Sequence, residues 1–257
     1  MESELTEALL EMHFYHPLFT LFQRHFGRRV MRILKPSQRR EAFLGFDIGW
    51  VQRRPHTSSA AVQTSIREFI HTGVHPATSF VGYFLQFKVV TELTRRSRAT
   101  PRGFRAPYLR SELSMRPNVD TGISQHETLL RLSRLPRTDV SYACPMLFCE
   151  DDLHGAPNID DLRLVPLTSA PSGYASNERH YITFQDRTAE PVWCSEPVQG
   201  VSISPSNWVE SLRKMEAEEV EPWLSEIRQA LSSSDDELVR KKFRLPHALT
   251  IVALGDR

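Results

Sequence analysis

The segment from Gly82 to Val90, GYFLQFKVV, constrains the fold more than any other part of the chain. Aromatic and β-branched residues dominate it, and this composition is typical of a strand that is covered on both faces. Such a strand needs helices or a second layer on either side of its sheet. Lys88 is the anomaly in this segment, because a charged group inside a buried strand is costly unless it is paired.

The neighbouring segments supply the predicted covering layers. Apolar residues recur every three or four positions through Phe19, Phe22, Phe26, Val30 and Ile33, and Pro17 marks a predicted break between two helices. Further along, helical and strand patterns alternate up to residue 148, which predicts an α/β fold with a mixed sheet flanked by helices. The predicted elements are a short helix capped by Ser37, a strand from Phe46 to Val51, a helix over 58–72, the strand Gly82 to Val90, a helix from Ser124 to Leu135 and a strand from Val140 to Phe148.

The second half of the chain is less regular. We expect short strands at Leu162 to Leu167 and at Tyr181 to Phe184, a helical stretch from Asn207 to Lys242, and a final strand in HALTIVAL. The predicted organisation is therefore a core with N-terminal helices over 1–148 and a C-terminal α+β extension over 149–257. The extension could also belong to the same domain as the core.

The net charge of +1 hides an asymmetry between the two halves. Residues 1–140 carry a net charge of +9 and the remainder carries −8, by count of Lys, Arg, Asp and Glu. A basic half attracts polyanions, and an acidic half suits a protein partner, although internal compensation within a compact fold remains open. The N-terminus is acidic and no apolar run approaches ~20 residues, so we expect a cytoplasmic protein with no membrane segment. The three cysteines lack C-x-x-C spacing and do not predict a zinc site.

Four polar residues predict a phosphodiesterase centre: Glu41, Asp47, Gln86 and Lys88. Asp47 and Gln86 offer oxygen ligands suited to Mg²⁺ or Mn²⁺, and Gln86 shares a sheet face with Lys88. Lys88 would position or help deprotonate the attacking water and would neutralise charge that develops on the phosphate. Glu41 would complete the outer shell of the metal or orient the water. Each residue also has a structural interpretation: Asp47 as a turn residue, Glu41 as a solvated acid, and Lys88 as a side chain that reaches water from an edge strand.

This pattern resembles the PD-(D/E)XK nuclease superfamily in its Gln-x-Lys variant, as in Mrr-like restriction enzymes, over roughly residues 37–148. The resemblance implies an αβββαβ, restriction-endonuclease-like core with Glu41 on the first helix and Asp47 on a hairpin strand. It also implies that Gln125 approaches the nucleic acid or the metal shell, with His126 beside it. The chain is similar, too, to a group of uncharacterised bacterial proteins with an LFLQFK-like strand followed by a QHELL-like helix.

An arginine-rich segment follows Lys88, between Thr91 and Thr121. Its composition is typical of a phosphate-contacting surface, and Phe104 and Tyr108 could stack on bases. The alternative is a solvated lid with internal ion pairs. The arginines that we predict to contact nucleic acid are Arg95, Arg96, Arg98, Arg102 and Arg105.

The sequence therefore predicts an Mg²⁺- or Mn²⁺-dependent nuclease that acts on DNA, and the resemblance places it in restriction or antiphage defence. The alternative is a catalytically degenerate protein on the same fold that binds nucleic acid or a protein partner. Fold alone does not decide between them.

Overall fold

The computed structural model describes residues 5–26, 30–34, 79–98, 100–117, 123–171, 179–194, 197–231 and 249–254. Within them the fold is mixed α/β, with helices and two sheets. The helices are α1 (Glu7–Phe26), α2 (Gln125–Ser133), α3 (Pro205–Ser211) and α4 (Ala217–Leu231). The strands are β1 (Val30–Leu34), β2 (Ser79–Phe87), β3 (Thr91–Leu93), β4 (Tyr108–Glu112), β5 (Asp139–Pro145), β6 (Leu162–Pro166), β7 (Tyr181–Phe184), β8 (Val192–Cys194), β9 (Val198–Gln199) and β10 (Leu249–Leu254).

The chain divides into two compact units that interleave along the sequence. The first comprises Met1–Leu21, Gln86–Arg116 and Ser141–Ser211, and the second comprises Phe22–Leu85, Pro117–Val140 and Leu212–Arg257. Each unit is thus assembled from three segments that lie far apart in the chain.

The first unit contains an antiparallel sheet in the order β3-β4-β7-β8-β9. Its central strand β7 is buried at every residue, and Leu109 lies opposite Phe184 across the β4–β7 pair. β5 also pairs antiparallel with β6 in this unit, with Ala143 opposite Leu164. Buried apolar side chains on neighbouring strands stabilise such sheets by removing their surface from water.

The second unit contains three antiparallel strands in the order β1-β10-β2. On β2, Gly82 lies under the indole of Trp223 from α4, and a Cβ atom at position 82 would come within 2.1 Å of that ring. Trp223 also donates a hydrogen bond from Nε1 to Thr138 Oγ1 at 3.0 Å. The absence of a Cβ atom at position 82 therefore allows the buried Trp223 ring to pack directly against the β2 backbone.

Several predicted elements are confirmed. The strand over Tyr181–Phe184 has the predicted bounds, and the predicted strands at Gly82 to Val90, Val140 to Phe148 and Leu162 to Leu167 correspond to β2, β5 and β6. Ser124 caps α2, since its Oγ accepts a hydrogen bond from the Glu127 backbone N–H at 3.1 Å. The final strand is β10.

Two predictions about the N-terminal segment are wrong. α1 continues through Pro17, because Leu10, Phe14 and Leu18 on one face are buried and this burial outweighs the cost of an interior proline, about 3 kcal/mol. Val30 and Ile33 lie in strand β1 rather than in a helix, because backbone pairing with β10 overrides a periodicity of three in so short a segment.

Of the other predicted elements, one is found as two helices and three lie outside the described residues. The predicted helical stretch from Asn207 to Lys242 forms two helices, α3 and α4, up to Leu231. The predicted helix that begins at Ser37, the strand from Phe46 to Val51 and the helix over 58–72 lie outside the described residues. None of the described helices is both long and apolar enough to span a bilayer.

Candidate active site

The site is built around Glu7, the first residue of α1. Thr6 begins this helix, since its Oγ1 accepts a hydrogen bond from the Leu9 backbone N–H at 3.2 Å. A carboxylate in the first turn is also favoured by the partial positive charge of the helix N-terminus. The cap and the helix dipole together fix Glu7 at a defined place in the first unit.

Lys88 forms an ion pair with Glu7, with 2.7 Å between Lys88 Nζ and Glu7 Oε1. The Lys88 side chain is only 5% exposed, whereas that of Glu7 is 43% exposed. The Lys88 backbone N–H donates to the carbonyl of Ala143 on β5 at 2.9 Å, which holds the lysine just beyond the end of β2. The buried charge that the sequence left unexplained is therefore paired with an acid 81 residues away.

Gln86 binds the second oxygen of the same carboxylate. Its Nε2 donates to Glu7 Oε2 at 2.8 Å and to the Phe87 carbonyl at 3.1 Å. One carboxylate thus contacts both polar side chains of the Gln-x-Lys pattern, although β2 ends at Phe87 and Lys88 lies outside this strand. We refer to Glu7, Gln86 and Lys88 as the acid–lysine cluster.

Apolar packing surrounds the acid–lysine cluster. Phe87 stacks on Phe14 of α1, with 6.5 Å between ring centroids and 27° between ring planes. Cys144 on β5 is fully buried, and burial raises the pKa of its thiol to about 12, although the Lys88 charge acts in the opposite direction. This cysteine stays a neutral thiol at physiological pH and does not serve as a nucleophile.

The predicted site residues divide into three groups. Glu41 and Asp47 lie outside the described residues, and Gln86 and Lys88 lie together in the acid–lysine cluster. Gln125 and His126 lie on α2 in the second unit, where Gln125 is half-buried and His126 is buried. All five arginines predicted to contact nucleic acid are exposed, and none forms an ion pair with another described residue: Arg95, Arg96, Arg98, Arg102 and Arg105.

The side chains of the acid–lysine cluster supply only some of the ligands that a hard divalent cation needs. Glu7 and Gln86 carry the oxygen donors that Mg²⁺ and Mn²⁺ prefer. Within the described ranges, however, no group of three His, Cys, Asp or Glu side chains could hold a metal ion. A metal site here would need a further acidic ligand.

Sequence reasoning missed Glu7. Its signal is a glutamate directly after a helix-capping threonine, at the start of a helix whose apolar face is buried. That signal predicts a helix start but says nothing about a contact with residues 79 and 81 positions later.

No family model matches this chain, and neither a curated protein nor a solved structure gives a match.

Proposed function

We propose that the acid–lysine cluster is the catalytic centre of a metal-dependent nuclease that hydrolyses phosphodiester bonds in DNA, on a restriction-endonuclease-like core. The observation that carries this proposal is the pair of contacts on Glu7, which bring an acid, an amide and a buried lysine to one place. A fixed lysine can stabilise the negative charge that develops on a phosphate during phosphodiester hydrolysis, and this supports the proposal.

Lys88 has the central role in this mechanism. Its ammonium group contacts Glu7 and its backbone N–H donates to the Ala143 carbonyl, so the side chain is oriented before substrate binds. A fixed positive charge stabilises the negative charge that develops on phosphate oxygens, and it does so most strongly where water is excluded. Gln86 holds the Glu7 carboxylate in the orientation that Lys88 requires.

Glu7, Gln86 and Asp47 are the residues that would hold Mg²⁺ or Mn²⁺, as oxygen ligands. Such an ion, when bound, lowers the pKa of an attacking water. Glu41 remains the predicted residue for orienting that water.

The exposed arginines beyond β2 support DNA as the substrate. Arg95, Arg96 and Arg98 follow β3 directly, in the same unit as the acid–lysine cluster. Exposed guanidinium groups without a carboxylate partner among the described residues are available for phosphate contacts.

One observation favours a second candidate, a catalytically degenerate protein that binds nucleic acid. Both oxygens of Glu7 already accept hydrogen bonds, one from Gln86 and one from Lys88. The described ranges also lack a three-ligand metal group. In this candidate the acid–lysine cluster is structural, and the arginines alone carry the function.

The two candidates are separated by cleavage of plasmid, single-stranded DNA and RNA in Mg²⁺ or Mn²⁺. We expect Lys88→Met to lower the cleavage rate at least a hundredfold, because it removes the charge that stabilises the transition state. The matched control is Lys214→Met, which removes an exposed lysine in the second unit and should leave the rate unchanged.

Gln86→Glu adds the acid that the superfamily pattern usually has at this position. A glutamate at position 86 cannot donate to Glu7, but in a nuclease the bound Mg²⁺ would offset the repulsion between the two carboxylates. We therefore expect the variant to keep its activity and to reach half of its maximal rate at a lower Mg²⁺ concentration. Equal cleavage rates for the wild type and Lys88→Met would refute the mechanism. DNA binding without cleavage in every variant would support the binding protein instead.

A further inference from the structure

The first unit contains a pocket of about 260 Å³ that shares no residue with the acid–lysine cluster. Three arginines line it: Arg98, Arg102 and Arg179. The first two come from the segment after β3, and Arg179 comes from the residues just before β7. We call this cavity the arginine pocket.

Hydrogen bonds involve the residues close to Arg98 and Arg102 in the chain. The Thr100 backbone N–H donates to the Ser97 carbonyl at 3.1 Å, and the Thr100 hydroxyl accepts a hydrogen bond from the Ser97 backbone N–H at 2.7 Å. The same hydroxyl lies 2.9 Å from the Tyr108 hydroxyl on β4. Gly103, with φ +93°, supplies the left-handed residue directly after Arg102. These contacts hold Ser97 and Thr100, which lie close to Arg98 and Arg102 in the chain.

The buried part of the arginine pocket is formed by Tyr181 and Cys194, which lie opposite each other across the β7–β8 pair. The Arg110 guanidinium packs over the Tyr181 ring, 4.3 Å from its centroid, and adds a fourth cation next to the lining. Burial raises the pKa of the Cys194 thiol above its usual range. A raised pKa keeps this thiol mostly neutral at physiological pH, which makes Cys194 a weak nucleophile.

The charge of the arginine pocket is uncompensated within the described part of the chain. None of Arg98, Arg102 and Arg179 forms an ion pair there, and none of the described lining residues is acidic. Three guanidinium groups around one cavity favour a ligand with more than one negative charge. A phosphate monoester carries about −1.5 to −2 at pH 7, whereas an internal phosphodiester carries a single charge.

The volume of the pocket limits the size of the ligand. At about 260 Å³ it falls just below the roughly 300–1,000 Å³ that is typical of pockets for drug-sized molecules. Pro101 and Pro197 add apolar surface to the lining, which suits an organic group attached to the phosphate. Inorganic phosphate or a mononucleotide has the appropriate size.

We propose that the arginine pocket binds a phosphate monoester of mononucleotide size, with Arg98, Arg102 and Arg179 as its anion ligands. Two sources share this chemistry: a free nucleoside monophosphate, and the 5′-phosphate at the end of a nucleic-acid strand. The proposal depends on the pocket alone, so it holds whether or not the acid–lysine cluster cleaves DNA.

Calorimetric titration at constant ionic strength tests the proposal with inorganic phosphate, adenosine monophosphate and adenosine. We expect the first two to bind and adenosine not to bind. Arg179→Gln and Arg98→Gln should each weaken binding about tenfold, because each removes one charge-assisted hydrogen-bond donor. Arg213→Gln, which removes an exposed arginine in the second unit, is the matched control and should change the affinity less than twofold.

Two oligonucleotides, identical except for a 5′-phosphate or a 5′-hydroxyl, distinguish the two sources. Tighter binding of the phosphorylated strand, lost in Arg179→Gln, identifies the strand end. Equal binding of both strands, together with binding of adenosine monophosphate, identifies the free nucleotide. The proposal is overturned if adenosine binds as well as its monophosphate, if neither phosphate nor the monophosphate binds, or if Arg213→Gln weakens binding as much as Arg179→Gln.

Discussion

The acid–lysine cluster and the arginine pocket lie in the same unit but handle positive charge in opposite ways. In the cluster, a buried lysine is held by a carboxylate at 2.7 Å, and the amide of Gln86 occupies the other carboxylate oxygen. In the pocket, three exposed arginines have no acidic partner among the described residues. A buried charge with a partner keeps its side chain in one orientation, whereas exposed charges without a partner attract a ligand of opposite charge. The two regions are thus expected to respond differently to mutation, salt and pH.

The largest expected effect on binding concerns the exposed arginines. Changing Arg95, Arg96 and Arg98 together to Glu should weaken DNA binding by roughly a hundredfold at low salt and flatten the plot of log affinity against log salt. The reason is that each lost phosphate contact reduces the number of counterions released on binding. Fluorescence anisotropy at several salt concentrations measures the affinity and the slope.

Lys88→Met is the matched comparison for the salt slope. Since the Lys88 charge is already paired with Glu7, we expect its removal to leave the slope unchanged. A slope that is unchanged in the triple arginine variant would mean that those arginines do not contact phosphate.

The next effect concerns the stability of the acid–lysine cluster. Glu7→Ala takes the carboxylate away from a buried ammonium group and should lower the free energy of unfolding by about 2 kcal/mol, less than the roughly 3–5 kcal/mol for fully buried pairs because Glu7 is half-exposed. Lys88→Met should cost less, since water can solvate the remaining carboxylate. Urea unfolding measures both values.

Glu210→Ala, at an exposed position of α3, is the control and should change the free energy of unfolding by less than about 0.5 kcal/mol. The double variant Glu7→Ala with Lys88→Met should cost less than the sum of its single variants. Strict additivity would show that the ion pair contributes nothing to stability.

The smallest expected effect is a pH dependence outside both regions. Asp152 Oδ2 accepts hydrogen bonds from the backbone N–H groups of Phe148 at 2.6 Å and of Cys149 at 3.1 Å, and the first of these contributes most to lowering the pKa of Asp152. Because its pKa is lower in the folded state, this carboxylate stabilises the fold above about pH 4 and loses that contribution as the pH falls through the folded pKa.

Asp152→Asn should therefore make the melting temperature less dependent on pH between 7 and 3, as measured by circular dichroism. The stability added by Asp152 is small because this side chain is only partly buried and water screens its charge. A steeper pH dependence in Asp152→Asn would contradict the assignment.

Local sequence predicted the elements whose signals are local. The strands β2, β5, β6 and β7 follow from β-branched and aromatic runs, and the start of α2 follows from Ser124 with its hydroxyl cap. Strand β1 was missed because its pairing partner, β10, lies more than 200 residues away. No periodicity in a five-residue segment reveals such a partner.

In the candidate site, too, the residues with a local signal were predicted and those that depend on distant partners were not. Gln86 and Lys88 could be found because a polar pair in a buried strand is conspicuous within nine residues. Glu7 and Arg179 could not, since each acquires its role from side chains about 80 residues away in the chain, and an isolated acid or arginine carries no sign of such a contact. Asp47 and Glu41 keep their predicted roles as hypotheses.

The position of Glu7 at the first residue of α1 has a consequence for dynamics. Helix ends open locally at a lower free energy than the whole protein unfolds, so the Glu7–Lys88 contact can break while the strands stay folded. The hydroxyl of Thr6 opposes this fraying through its hydrogen bond to Leu9. The Thr6 cap therefore contributes to how long the Glu7–Lys88 contact lasts, separately from the stability of the whole fold.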